Sequence, residues 1–109
     1  MNRELDHRVA EKFFNIEIIN GLIHDVTGHK DPRVVPYYSS SMDRSMEILY
    51  QIPNDIAMIR GKYTWLVNQM GGEGIDTGAS DESLSVAICL FALKIVGDHE
   101  WVEEHLSGR

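Results

Sequence analysis

Tyr37-Tyr38-Ser39-Ser40-Ser41-Met42-Asp43-Arg44 sets two phenol rings, three hydroxyls and a guanidinium at the start of an apolar-periodic stretch covering residues 46–52. Pro36 disfavours helix at Val35 and the serines offer a cap, so an extended segment is delivered onto a helix start. The first turn of a helix has backbone N–H groups without intrahelical partners. With hydroxyls and Arg44 beside them these can hold an anion while a tyrosine ring stacks on a base. The chemistry is non-covalent capture of a small anionic, nucleotide-type ligand. The predicted binding set is Tyr37, Tyr38, Ser39, Ser40 and Arg44, with Arg60 as a further cation. The competing structural reading makes Ser40 and Asp43 a capping-box-like pair and packs the tyrosines against a sheet. It is the more economical of the two, because every helix needs a cap and only some bind ligands.

Other chemistries find less support. His7, His24, His29, His99 and His105 are scattered over helix, hairpin and loop segments with no His-Glu-x-x-His spacing, so no metal site is predicted. The one cysteine, Cys89, lies in the most apolar helical stretch, and no serine occupies a Gly-x-Ser-x-Gly elbow. Gly71-Gly72-Glu73-Gly74 resembles a phosphate loop only superficially: it lacks the lysine and the serine or threonine of that motif, and its acidic flank repels phosphate. The chain therefore reads as a binding protein rather than an enzyme, with no cofactor.

The elements that must position these residues follow from periodicity. Leu5, Val9 and Phe13, with Ala10 and Phe14 beside them, make an apolar stripe on a first helix over about residues 3–14, suited to packing on a sheet. β-Branched residues around Asn20-Gly21 predict a short hairpin, with a helix continuing through Ile19 as the competing reading, and the polar residues 27–34, with Pro32, predict a loop. Ser39 or Ser40 caps a second helix whose buried face is Met42, Met46, Leu49 and Ile52 and which ends at Pro53. Residues 55–60 and 63–69, joined at Gly61-Lys62, form a second hairpin. Residues 70–79 contain four glycines and are expected to be a mobile loop. Ser80 caps a third helix, with Asp81 and Glu82 in its first turn, running to Val96 and stopped by Gly97; a short last helix begins at Asp98. The third helix is apolar nearly all round, which marks it as central or as having a partner on its second face.

The predicted order is α-β-β-α-β-β-α with a short C-terminal helix, an α/β fold of the α+β kind. With 109 residues, 43% apolar and 25% charged, the chain is one globular domain. No apolar run approaches the ~20 residues of a membrane span, so no membrane association is expected. The start is charged in both signs, unlike a signal peptide, and the lone cysteine suits a reducing compartment. Net charge is −7, divided as −1 over residues 1–62 (eight basic, nine acidic) and −6 over residues 63–109 (two basic, eight acidic). That sign argues against general nucleic-acid binding. The two-sided third helix and Trp101, Val102 and Leu106 in the tail predict a homo-oligomer; Trp65 and Trp101 read as core anchors more than as interface hot spots.

Three blocks carry a resemblance: the Leu5, Val9, Phe13 helix; Pro36-Tyr37-Tyr38-Ser39-Ser40; and the helix around Ala87-Ile88-Cys89. In order and spacing they resemble the phage ABA sandwich domain family, small proteins of tailed phages. The resemblance covers most of the chain. It departs in the lengthened stretch with His29-Lys30-Asp31-Pro32-Arg33 before Val35. What it implies is a sandwich of helices against a small antiparallel sheet, in a phage accessory protein working in the cytoplasm of the infected bacterial host. It supplies no catalytic residues. The functional expectation is counter-defence, by acting as a sponge for a nucleotide-type signal. The alternative is an inhibitor that binds a host defence or regulatory protein through the acidic C-terminal half, and a scaffolding domain is the third.

Overall fold

A computed structural model describes residues 3–19, 22–23, 33–53, 55–69 and 79–107. Helix α1 (Arg3–Arg8) continues as a π-helical turn, Val9–Phe13. It ends where Asn15 takes a left-handed φ of 54°, a conformation asparagine tolerates better than most residues, and the Ile16 N–H turns back to the Ala10 carbonyl at 2.9 Å. Strands β1 (Ile18–Ile19) and β2 (Leu22–Ile23) pair antiparallel, Ile19 opposite Leu22, as expected of the first hairpin, whose Asn20-Gly21 lies outside the described residues. Strand β3 (Arg33–Val34) adds to β2. It is a correction to the loop expected over residues 27–34, of which the remainder lies outside the described residues.

Helix α2 spans Met42–Tyr50 and is capped by Ser41, not by Ser39 or Ser40. Residues 37–41 form a turn, with the Ser40 and Ser41 N–H groups both on the Tyr37 carbonyl, and this turn moves the helix start beyond the first two serines. Its buried residues are Ser45 and Ile48, while Met42 is exposed, so the buried face is rotated from the expected stripe. Strands β4 (Ile56–Arg60) and β5 (Trp65–Gln69) make the second hairpin, and β6 (Ala79–Asp81) completes an antiparallel sheet in the order β4-β5-β6. Because β6 reaches Asp81 opposite Trp65, helix α3 (Leu84–Ile95) starts three residues later than a Ser80 cap requires. Ser83 is the cap, taking the Val86 N–H at 3.4 Å, and Asp81 accepts the Ser83 N–H. Gly97, at φ 87°, stops the helix as expected, and α4 (His99–Ser107) follows.

Every residue from Ser85 to Leu93 is buried. Helix α3 is the hub: α1 with its π-helical turn, α2, α4, β5 and β6 all pack on it. The first helix therefore rests on α3 rather than on a sheet, and the second apolar face of α3 is covered within the chain. The core joins Leu5, Val9, Val35, Tyr38, Ile48, Val67 and Val102 to this helix, with Trp65 and Trp101 packed at its margin. No helix among the described residues is long and apolar enough to cross a membrane.

Candidate functional site

The predicted binding residues sit in a segment that the first helix already holds. Asp6 is fully buried; its Oδ1 accepts the Ser39 N–H at 2.6 Å and its Oδ2 accepts from Arg3 Nη1 at 2.7 Å. The other Arg3 nitrogen donates to the Val35 carbonyl at 2.7 Å, and the guanidinium lies 4.0 Å from the centre of the Tyr37 ring. Tyr38 is 3% exposed and stacks on Phe14 with ring centres 5.2 Å apart. Burial pushes its phenol up to about 12, with Glu47 adding in the same direction. Ser39 is buried, Ser40 and Tyr37 are exposed, and the Ser41 hydroxyl accepts the Arg44 N–H. Arg44 points outward and pairs with Glu47 at 2.9 Å. The segment works as a clasp between α1 and α2. Ser39's amide serves a carboxylate of the chain itself, and Tyr38 presents no ring face to solvent.

Arg60 belongs elsewhere. It stands at the end of β4, on the turn of the second hairpin, where Gly61 N–H donates to the Thr64 carbonyl at 2.7 Å. A Cβ at Gly61 would lie 3.1 Å from that carbonyl oxygen, so the tightness of the turn favours glycine. Here Arg60 lies over the Trp65 ring at 5.2 Å and Lys62 over the Tyr63 ring at 5.3 Å. Tyr63 is 74% exposed. From residue 56 to 69 the sequence has two cations and no carboxylate, in a chain of net charge −7. Asp81, across from Trp65, is buried and accepts the Ser83 N–H. Two cations against two rings on an exposed turn can hold a phosphate or carboxylate and offer a ring to a flat partner.

Sequence patterns alone do not reveal Asp6, which touches the clasp from 33 residues away, and the expected binding set also lacks Lys62 and Tyr63. The signal for the latter two was in the sequence: two basic residues, Arg60 and Lys62, followed closely by two aromatics, Tyr63 and Trp65, with no acid among them. The remaining groups are accounted for locally. Arg8 grips Asp98 with two hydrogen bonds, 2.7 and 3.0 Å, and lies over Trp101; the contact holds the Asp98 carboxyl below its ordinary range and raises Arg8. Burial pushes the Cys89 thiol above its usual range, so it is protonated at neutral pH. Glu100, Glu103 and Glu104 are exposed along α4. Among the described residues no three potential metal ligands come together. Nearly all of the glycine loop, residues 70–78, lies outside the described residues.

Neither a protein-family model nor a curated protein matches the chain, so the ABA sandwich resemblance rests on its three sequence blocks alone. Among solved structures the chain is similar to a phage protein from Bacillus cereus ATCC 14579, with a TM-score of 0.65 over 86% of this chain and 91% of that one, at 22% identity. At that identity the likeness establishes the fold, and only the fold.

Proposed function

We propose that this chain is a phage accessory protein that acts by binding rather than by catalysis, in the cytoplasm of the infected host. Its ligand is a small anionic, nucleotide-type molecule held at the hairpin turn by Arg60, Lys62, Tyr63 and Trp65, and its role is counter-defence by sequestration. The phage assignment draws on the fold likeness and on the sequence resemblance. The observation that carries the binding site is the pair of cation–ring contacts, Arg60 on Trp65 and Lys62 on Tyr63, exposed on the least acidic part of an acidic chain. Tyr37, Ser40 and Arg44 keep the accessible share of the original set, but Arg44 is neutralised by Glu47.

A thermal-shift screen of linear and cyclic nucleotides tests the proposal. A ligand at 100 times its dissociation constant adds about 2.7 kcal/mol to a native state that alone binds it. Lys62→Ala and Tyr63→Ala should abolish the shift while leaving the unliganded melt unchanged. A flat screen excludes nucleotide capture. In that case the exposed Glu100, Glu103 and Glu104 favour the second reading, an inhibitor of a host protein, for which charge reversal on α4 should slow association in a salt-dependent way.

A further inference from the structure

Of the buried polar residues among those described, Asp6 and Ser39 belong to the clasp and Asp81 holds the Ser83 N–H, which leaves Ser45 on α2 and Ser85 on α3. Their hydroxyls face each other at 3.4 Å where the two helices pack. Both turn to one side chain. Ser85 Oγ lies 3.0 Å from the Met42 sulfur, and Ser45 Oγ lies 3.8 Å from that sulfur and 3.1 Å from the Met42 carbonyl oxygen. A thioether is a weak acceptor, so the buried Ser85 hydroxyl is held by less than an oxygen would supply. Met42 itself is 42% exposed, so a side chain anchored on buried donors also reaches solvent.

We propose that Met42 is a modification site whose substrate is a hydroperoxide and whose product, the sulfoxide, is held by Ser85 and Ser45. The sulfur lone pair attacks the terminal peroxide oxygen, so that an S–O bond forms as the O–O bond breaks. The departing alkoxide takes the proton of the transferred hydroxyl and leaves as an alcohol, or as water when the oxidant is hydrogen peroxide. Sulfur gives up an electron pair and the peroxide gains it. The product sets a strongly polar oxygen where a weak acceptor stood. Methionine is unbranched and flexible, so the sulfur can draw back to make room for that oxygen. Oxidation of a methionine among apolar neighbours disrupts their packing. At Met42 the new oxygen meets hydroxyls that are already desolvated, and it fastens the first turn of α2 to α3. Met58, also 42% exposed, sits across from the apolar Val67 instead.

Graded hydrogen peroxide added to the folded protein tests this, with peptide mass mapping to locate the oxygen and thermal melts to read its effect. Mapping should place an added oxygen on Met42. Treatment should raise the wild-type melting temperature by about 4 °C relative to its effect on Met42→Leu, which reports the other methionines alone; that is the size of shift one improved hydrogen bond gives a domain of this length. Ser85→Ala should still take up the oxygen and lose most of the rise. If Ser85→Ala fails to fold, the mapping and the Met42→Leu comparison decide. An unmodified Met42, a treatment effect no more favourable in the wild type than in Met42→Leu, or a rise undiminished in Ser85→Ala overturns the proposal.

Discussion

The clasp at residues 37–44 and the hairpin turn at residues 60–65 are made of the same kinds of residue, arginine beside an aromatic ring among small polar groups. In the clasp the polar groups are turned inward. Ser39 and Arg3 converge on the buried carboxylate of Asp6, and Tyr38 lies on Phe14. At the turn the cations rest on rings above solvent, with no carboxylate in the flanking sequence from residue 56 to 69. Composition thus nominates both places as ligand sites, and burial and partners separate them. The clasp residues are engaged within the fold, whereas the cation–ring pairs of the turn stand exposed.

Substitutions sharpen this contrast, because those in the clasp should act on stability and those at the turn on binding. Asp6→Asn should have the largest effect, about 3 kcal/mol at the lower end of the range for breaking a buried charge pair, since Arg3 is partly exposed. Chemical denaturation should show it as a fall in midpoint without a change in slope. Asp98→Asn, which removes the two-bond contact with Arg8, should cost about 1.5 to 2 kcal/mol near neutral pH. The Asp98 carboxyl is depressed in the folded state, so its contribution is complete above the ordinary carboxylate range and is lost as pH falls through the folded value. The wild-type advantage over the asparagine variant should accordingly vanish in acid melts.

Tyr38→Phe should act at the alkaline end. The unfolded chain releases this proton near the ordinary tyrosine value and the folded chain only at about 12, so stability falls as pH rises across that interval. A phenylalanine there should flatten the decline above pH about 10. Smallest of all, Lys62→Ala and Tyr63→Ala should change stability by less than about 0.5 kcal/mol, as expected for exposed side chains. A large destabilisation by either would mean that the turn is as structural as the clasp.

Much of the fold was legible because its determinants are local. Asn20-Gly21 between β-branched residues marked the first hairpin, Gly97 the end of α3, and unbroken apolar sequence its central place. What escaped was set from a distance. Ala79-Ser80-Asp81 has little strand character of its own and becomes β6 only by pairing with β5, which in turn displaced the helix cap from Ser80 to Ser83. Three consecutive serines gave no means of choosing the α2 cap, a choice made by the turn on the Tyr37 carbonyl. The role of residues 37–39 depended on Asp6, a partner on another element that no local pattern reveals. Arg60, by contrast, was picked out as a cation without its turn-mates Lys62 and Tyr63.

Tryptophan fluorescence puts the contrast between clasp and turn to its most direct test, because Trp65 lies under Arg60 at the turn. Nucleotides titrated into the wild type, Lys62→Glu and Arg44→Ala should quench the emission of the wild type and of Arg44→Ala alike and leave Lys62→Glu unchanged. Loss of quenching in Arg44→Ala with retention in Lys62→Glu would return the site to the clasp, and no quenching in the wild type would remove the nucleotide from the hairpin turn altogether.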